Sequence, residues 1–225
     1  MEHEVSPWLL LAYSAIVIVA LALFAILSTR RLQMVTASRR QSLVELIVSS
    51  LDDFVVGIIG PPGRKYTSFI GTLFIYILAM NLLGLVPGFK SPTSGLSITL
   101  SLALVVFVMY NVAAIRETGV VSWLKHFAGE PLWLAPLMVP IHIIGDLARP
   151  VSLSIRLFGN IFGEETVLAV LAGMTIVIVP YLVALPTQFP IMLFDIFISF
   201  VQALVFSMLS AIYIAIAIAG HEEHG

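Results

Sequence analysis

The chain has 225 residues, of which 60% are hydrophobic and 11% charged, and its formal net charge is -2. A soluble chain is about 45–50% apolar and about 25% charged, because polar side chains must cover its outside. This composition, with a mean hydropathy of +1.07, excludes a soluble globular protein and predicts an integral membrane protein. The net charge is slightly negative and the 11 basic residues are spread along the chain, so the sequence does not predict a nucleic-acid-binding surface. The absence of cysteine excludes disulfides, thiolate metal sites and cysteine nucleophiles.

Three uncharged segments are long enough to cross a bilayer, which takes about 20 apolar residues in a helix. These segments are Trp8–Ser28, Tyr66–Phe89 and Ser91–Ile115. The last two are separated by Lys90 and by the turn-forming pair Pro87-Gly88, so they are predicted to form a hairpin. We expect the first to be a retained span and not a cleaved signal peptide, because its leader Met1–Glu4 is acidic and its apolar run is long.

Between the first two spans, the segment Ser38–Gly60 has helical periodicity with one polar face. Glu45, Ser49 and Asp52 recur at spacings of four and three. The opposite, apolar stripe consists of Leu43, Ile47, Leu51, Phe54 and Ile58. We interpret the segment as a helix lying at the membrane surface, with a re-entrant or internally packed helix as the alternative. The run Pro61-Pro62-Gly63 is predicted to end it.

Two later segments are too long to stand upright in a bilayer. They run from Pro140 to Val179 and from Ile191 to Gly220. As helices they would extend about 60 Å and about 45 Å, against a hydrocarbon core of about 30 Å. They are therefore predicted to tilt, kink or curve. Pro180, Pro186 and Pro190 are predicted to mark the hairpin between them.

The predicted fold class is an all-α polytopic membrane protein. It has five membrane helices plus one interfacial amphipathic helix, and the last two membrane helices are long and steeply tilted. We expect one membrane domain over residues 1–225. The approximate spans are 8–28, 66–89, 91–115, 137–179 and 184–219, and the surface helix is 38–60.

Basic residues in the loops predict the orientation of the chain. Eight of them fall on one side of the predicted topology: Arg30, Arg31, Arg39, Arg40, Arg64, Lys65, Arg116 and Lys125. Lys90 falls on the other side. The positive-inside rule then places the N-terminus outside and the C-terminus in the cytoplasm. The tail His221–His224 lacks the spacing of a zinc motif, so no metal site is expected.

Several polar and charged residues fall inside the two long segments. They are His142, Asp146, Arg149, Arg156, Glu164 and Glu165 in the fourth, and Asp195 and Gln202 in the fifth. A charge near the bilayer centre costs about 2.5–3.5 kcal/mol, so such residues face protein or water and mark an ion path. For Asp146 and Arg149, at spacing i,i+3, the alternative is a pair that only neutralises itself.

Arg156 has no acidic residue close enough along its helix to neutralise it. Its nearest acids are eight and nine residues away. At about 100° per residue, Ser152, Arg156 and Asn160 share one face. Glu165 lies about 180° around the helix and about 13 Å further along it. The helix is therefore expected to present a cation and a carboxylate to two different polar environments.

Asp195 and Gln202 are seven residues apart and share a face of the last helix, with Ser199 between them. Buried carboxylates can exchange protons near neutral pH, so Glu165 and Asp195 are candidate proton carriers. For Gln202 the alternative is a hydrogen bond between helices.

The segment Arg149–Asn160, RPVSLSIRLFGN, followed by Glu165, closely resembles the signature of subunit a of F-type ATP synthases, the ATPase subunit 6 family. Further segments that resemble this family are Asn81–Gly88, Pro92-Thr93 and Phe200–Ala203. The resemblance extends from about Gln41 to Gly220.

The resemblance implies a stator subunit of the F0 proton channel, with two half-channels beside a ring of c subunits. The family's essential arginine falls on Arg156 and its relay carboxylate on Glu165. Ser152, Asn160 and Gln202 match its other polar positions. The chain would have no enzymatic activity of its own and no cofactor. Its partners would be the c-subunit ring, the peripheral-stalk b subunits, indirectly the F1 sector, the lipid bilayer, and protons or sodium ions, in a bacterial cell (inner) membrane.

The chain departs from the family at several positions. Some members carry histidine at the position of Asp195 and others at that of Glu165, whereas both are acids here. His142 stands where some relatives have glutamate. We expect Glu165, Asp195 and Gln202 to serve the external access path, and His142 and Asp146 to line the exit to the cytoplasm. The alternative function is a stand-alone ion-coupled secondary transporter, although no internal repeat supports it.

Overall fold

A computed structural model describes residues 7–29, 39–86, 89–121, 123–124, 134–178 and 184–219. The helices are α1 (Pro7–Thr29), α2 (Arg39–Ile59), α3 (Thr67–Leu83), α4 (Leu96–Thr118), α5 (Ala135–Ile178) and α6 (Ala184–Ala219), with 3-10 helices at Pro61–Tyr66 and Pro92–Ser94. No strand occurs in these parts of the chain. The predicted all-α class is confirmed. The tail His221–His224 lies outside the described residues.

Four stretches of the described chain are long and apolar enough to cross a membrane. They are Trp8–Leu27, Pro61–Leu83, Leu96–Thr118 and Met192–Ile218. At 44 and 36 residues, α5 and α6 would extend about 66 Å and about 54 Å, longer than a hydrocarbon core of about 30 Å. The prediction that these two helices are long is confirmed.

The connection between the second and third predicted spans is longer than expected. Helix α3 ends at Leu83 instead of reaching Phe89, and α4 begins at Leu96 instead of Ser91. Gly84 lets the chain turn here: a Cβ at this position would lie 2.9 Å from the Cβ of Ser91, so only glycine allows the two segments to approach this closely.

The hairpin before α6 is shorter than its prolines suggested. Helix α6 begins at Ala184 and contains both Pro186 and Pro190, so the prediction that these two residues lie in the turn is wrong. Pro186 is tolerated because it lies in the first turn, where a backbone N–H has no partner within the helix. Pro180 lies outside the described residues.

Helix α2 has two different halves. In its N-terminal half Leu43, Leu46 and Ile47 are exposed, which leaves an apolar surface uncovered. In its C-terminal half Val55 is fully buried and packs with residues of α3, α4 and α6. The interfacial position stays a prediction for the first half, and the internally packed alternative describes the second. The helix ends at Ile59, as the proline run after it predicted.

Helix α6 is the centre of the fold, because it packs against α2, α3, α4 and α5. The main core joins α3, α4, α5 and α6 and includes Ile77, Met80, Ala103, Val106, Leu153, Leu157, Ala203 and Phe206. Helix α1 is peripheral and reaches this core through Leu10 and Val17. A hydrogen bond of 2.7 Å between the hydroxyls of Ser14 and Tyr76 ties α1 to α3. The packing leaves one side of the α5–α6 pair open.

Candidate functional site in helices α5 and α6

Helix α5 has a buried face and an exposed face around its middle. The buried face consists of Pro150, Leu153, Ser154, Leu157 and Ile161. The exposed face consists of Val151, Ser152, Ile155, Arg156, Gly159 and Asn160. The buried residues recur at spacings of three and four, so they form the stripe that an amphipathic helix turns toward its neighbours. No described part of this chain covers the apolar residues on the exposed face.

Arg156 lies on the exposed face, on the same side of the helix as Ser152 and Asn160. It forms no ion pair with any side chain that the structure describes. Gly159 beside it is open, because a Cβ there would have no neighbour within 4 Å. The guanidinium is therefore accessible from outside the described part of this chain.

A row of polar side chains is buried on α6, next to Arg156's helix. Asp195 is 2% exposed, Ser199 1% and Gln202 4%. The Nδ2 of Asn160 donates a hydrogen bond of 2.6 Å to Oε1 of Gln202, which joins the row to α5. The predicted helix–helix hydrogen bond of Gln202 is thus present, and its partner is one turn of α5 away from Arg156.

The N-terminal end of the row on α6 brings two carboxyl groups together. The side chain of Glu164 on α5 hydrogen-bonds that of Asp195 on α6. Oδ2 of Asp195 and Oγ of Ser199 are buried without a hydrogen-bond partner among the described residues. Glu165 also lies on α5, but its side chain is outside the described residues. Among the described side chains of α5, Glu164 contacts Asp195, and the sequence assigned no role to Glu164.

Asp146 and Arg149 form a separate cluster nearer the start of α5. Their side chains make an ion pair of 3.1 Å, 15% and 28% exposed respectively. The guanidinium of Arg149 also lies over the rings of Tyr110 and Tyr213, 5.6 Å and 5.5 Å from their centroids. These contacts connect α5 with α4 and α6 and support the neutralising-pair interpretation. His142 is partly exposed and lies one turn before Asp146.

A buried hydrogen-bond network in the α3–α4 hairpin also reaches α6. Thr93 donates to Oδ1 of Asn81 over 2.7 Å, and Asn81 donates to the backbone oxygen of Ser199 over 3.5 Å. The hydroxyls of Ser91 and Thr93 are 2.6 Å apart. The sequence did not assign Asn81, Ser91 or Thr93 to the site. For Asn81 and Thr93, their occurrence in segments that resemble the family was the signal that could have found them.

The hydrogen bond between Asn160 and Gln202 predicts a measurable coupling between α5 and α6. Replacing Gln202 by leucine should lower the free energy of unfolding by about 1 kcal/mol, because the bond is lost. A double-mutant cycle with Asn160→Leu should give a coupling of about 0.5–1.5 kcal/mol. Unfolding of the purified protein in mixed micelles measures both. Gln41→Leu is the control, because its bond to Glu45 lies within α2, and additive effects of the Asn160 and Gln202 changes would contradict the prediction.

These helices define a class: a multi-pass helical membrane protein with a row of buried polar side chains beside an exposed helix face. Residues 11–215 match the family model described as ATP synthase A chain. The chain is 40% identical over 203 residues to ATP synthase subunit a 1 of Pelobacter propionicus, covering 90% of this chain and 84% of the relative. It is 38% identical over 224 residues to ATP synthase subunit a of Protochlamydia amoebophila, covering 96% and 82%. Its identity to ATP synthase subunit a of Aliarcobacter butzleri is 41% over 219 residues, covering 96% and 92%.

The chain belongs to the ATP synthase subunit a family. The resemblance drawn from the sequence is therefore confirmed. As a member, the chain is an ion-translocating subunit of the membrane sector and not an enzyme on its own.

Proposed function

We propose that this chain is the stationary side of a rotary proton path and that Arg156 separates two half-channels, each open to one side of the membrane. The observation that carries the proposal is the position of Arg156. It lies on an exposed helix face and has no ion pair with the described side chains. A charge in the bilayer is costly unless something outside the subunit compensates it. A carboxylate on a rotating ring of c subunits would do so.

The chemistry of arginine suits a fixed charge. A guanidinium is not deprotonated in proteins, so Arg156 cannot itself carry protons between the half-channels. It favours the ionised form of a carboxyl group that comes close, so a ring carboxyl arriving there releases its proton. That carboxylate must be protonated again before it enters lipid, because an ionised group in hydrocarbon is too costly. Arg156 thus allows rotation and prevents direct leakage.

The buried row on α6 supports an access path from the external side. Asp195 and Gln202 belong to this row, Gln202 is joined to Asn160, and Asn160 lies one turn from Arg156. We place Ser152 beside Arg156 on the ring side and keep Glu165 in this path by family resemblance. The orientation predicted from the basic residues has the N-terminus outside and the C-terminus in the cytoplasm. With this orientation, the N-terminal half of α6 is assigned to the external side.

His142 and Asp146 are our candidates for the cytoplasmic exit. Asp146 is held by Arg149 at 3.1 Å. This ion pair fixes the position of the Asp146 side chain, and His142 lies one turn before it on α5, so we assign both residues to the polar lining of the exit.

Energetics require further subunits. Moving one elementary charge through 100 mV yields about 2.3 kcal/mol, which is too little for ATP synthesis unless a rotor accumulates several transfers. The proposed partners are therefore the c-subunit ring, peripheral-stalk b subunits that hold this chain still, and the F1 sector through them. The translocated ion is a proton, or sodium where the ring binds it.

Cysteine cross-linking tests where the ring lies. The chain has no cysteine, so each introduced residue is unique within it. Ile155, 57% exposed beside Arg156, is replaced by cysteine and paired with a cysteine near the carboxyl group of the ring subunit. We expect a cross-linked product in the assembled complex. Val108→Cys, at 58% exposure on α4, is the matched control. No product from Ile155, or equal products from both positions, would contradict the proposal.

A further inference from the structure

Glu164 and Asp195 approach each other from two different helices, and neither the family comparison nor the resemblance assigns a role to Glu164. From this contact we infer that the two side chains share one proton and together form the last proton-holding station before Arg156 on the external path. The inference rests on the proposed function, because it names the group from which the ring carboxylate is reprotonated.

The register of α5 and α6 places Glu164 opposite Asp195. The helices are antiparallel there, since Asn160 bonds Gln202 while Glu164, further along α5, bonds Asp195, which precedes Gln202 on α6. Glu164 is one turn beyond Asn160, about 40° around the helix from it. Glu165 is about 140° from Asn160. Spacing therefore continues the row through Glu164.

A hydrogen bond between two carboxyl groups needs a proton. Ionised carboxylates only accept hydrogen bonds, so one of the pair must be the acid and donate its O–H to the other. Like charges this close also disfavour ionising both groups. Asp195 is 2% exposed, which adds the cost of a buried charge. The pair is therefore described as one unit with one proton and one negative charge.

Buried polar groups continue from this pair. Oδ2 of Asp195 and Oγ of Ser199, one turn further along α6, have no partner among the described residues. Buried polar atoms without protein partners are typical of places that water reaches. The described groups that approach this stretch from α5 and α3 are the uncharged amides of Asn160 and Asn81, besides Glu164 itself. The nearest fixed positive charge on α5 is Arg156.

The proton transfer balances without any further reactant. A proton from external water adds to the carboxylate oxygen of the pair, which becomes two neutral acids. One O–H bond then breaks and its proton passes to the ionised ring carboxylate, which becomes neutral and enters the lipid. The pair returns to one proton and one negative charge, ready for the next ring subunit.

Cross-linking tests the geometry independently of transport. In the assembled complex, the double variant Glu164→Cys/Asp195→Cys should be joined efficiently by a short bifunctional thiol reagent. The matched control is Glu165→Cys/Asp195→Cys, which moves one cysteine by a single residue. Equal or preferential linking of the control pair would overturn the inference. This result does not depend on whether the chain moves protons.

Transport variants test the shared proton. In membrane vesicles with assembled complexes stripped of the F1 sector, Glu164→Gln and Asp195→Asn should each slow potential-driven proton transport by about 100-fold. The double variant should be no slower than either single variant, because residues that act as one unit are not additive. Content of the ring and stalk subunits, measured in the same vesicles, shows that the variants assemble. A double variant slowed by the product of the single effects, or transport in Glu164→Gln as fast as in the unmodified protein, would overturn the inference. If the Arg156 proposal failed while the cross-link formed and the variants slowed transport, the pair would stand without it.

Discussion

Replacing Arg156 by glutamine or alanine is expected to abolish ATP-driven proton pumping in the assembled complex. Each variant removes a positive charge that none of the described side chains of this subunit compensates. In the proposed mechanism, a ring carboxyl group then meets no positive charge that favours release of its proton. The proposed barrier to direct proton crossing is lost as well. We therefore expect pumping at background level, with passive leakage increased.

Lysine at position 156 should not restore coupling. It keeps a positive charge, but an ammonium group can lose its proton when it is desolvated, and it lacks the planar fork that a guanidinium presents to a carboxylate. The measurement is quenching of a pH-sensitive dye in inverted vesicles after ATP addition, with subunit content as the check on assembly. Arg116→Gln is the control, because Arg116 is an exposed residue at the end of α4. Normal coupled pumping in Arg156→Gln would refute the mechanism.

Breaking the ion pair of Asp146 and Arg149 is expected to have the largest effect on stability. In Arg149→Leu the carboxylate of Asp146, 15% exposed, loses its partner within a membrane helix. The expected loss is about 2.5–3.5 kcal/mol in the free energy of unfolding, the cost of an uncompensated charge in a bilayer. The lost cation–π contacts with Tyr110 and Tyr213 add about 0.5–2 kcal/mol each.

A double variant separates the two contributions. Asp146→Leu/Arg149→Leu carries no uncompensated charge, so it should be less destabilised than the sum of the single variants. Reversible unfolding in bilayers or mixed micelles gives the three values. If Arg149→Leu were as stable as the unmodified protein, the cluster would not be a stabilising connection between α4, α5 and α6.

Much of the architecture follows from composition and periodicity. Apolar runs of about 20 residues can satisfy their backbone in lipid only as helices, so the helices could be predicted without tertiary information. The ends of the helices were predicted less accurately. Helix α3 stops at Leu83 because the chain turns tightly against Ser91, and this close approach is a tertiary contact. Pro186 shows that a proline does not necessarily end a helix when it lies in the first turn.

The candidate site was predictable in its residue types but not in its pairings. Angles along α5 place Ser152, Arg156 and Asn160 together, and the structure has them on one exposed face. Periodicity within one helix carries no information about which residue of the next helix lies opposite. The hydrogen bond of Asn160 to Gln202 and the contact of Glu164 with Asp195 depend on how α5 and α6 pack.

The scarcity of charge, 11% of residues, is sufficient to determine that this is a membrane protein. The motif around Arg156 is sufficient to indicate the family. Composition and motif are both properties of the amino-acid sequence and do not depend on how the helices pack. Only the tertiary structure decided that Arg149 is held by Asp146 and two tyrosine rings while Arg156 faces outward. The two arginines are seven residues apart and would share a face of an isolated helix. Their environments differ because α4 and α6 cover the helix at Arg149 and leave it open at Arg156.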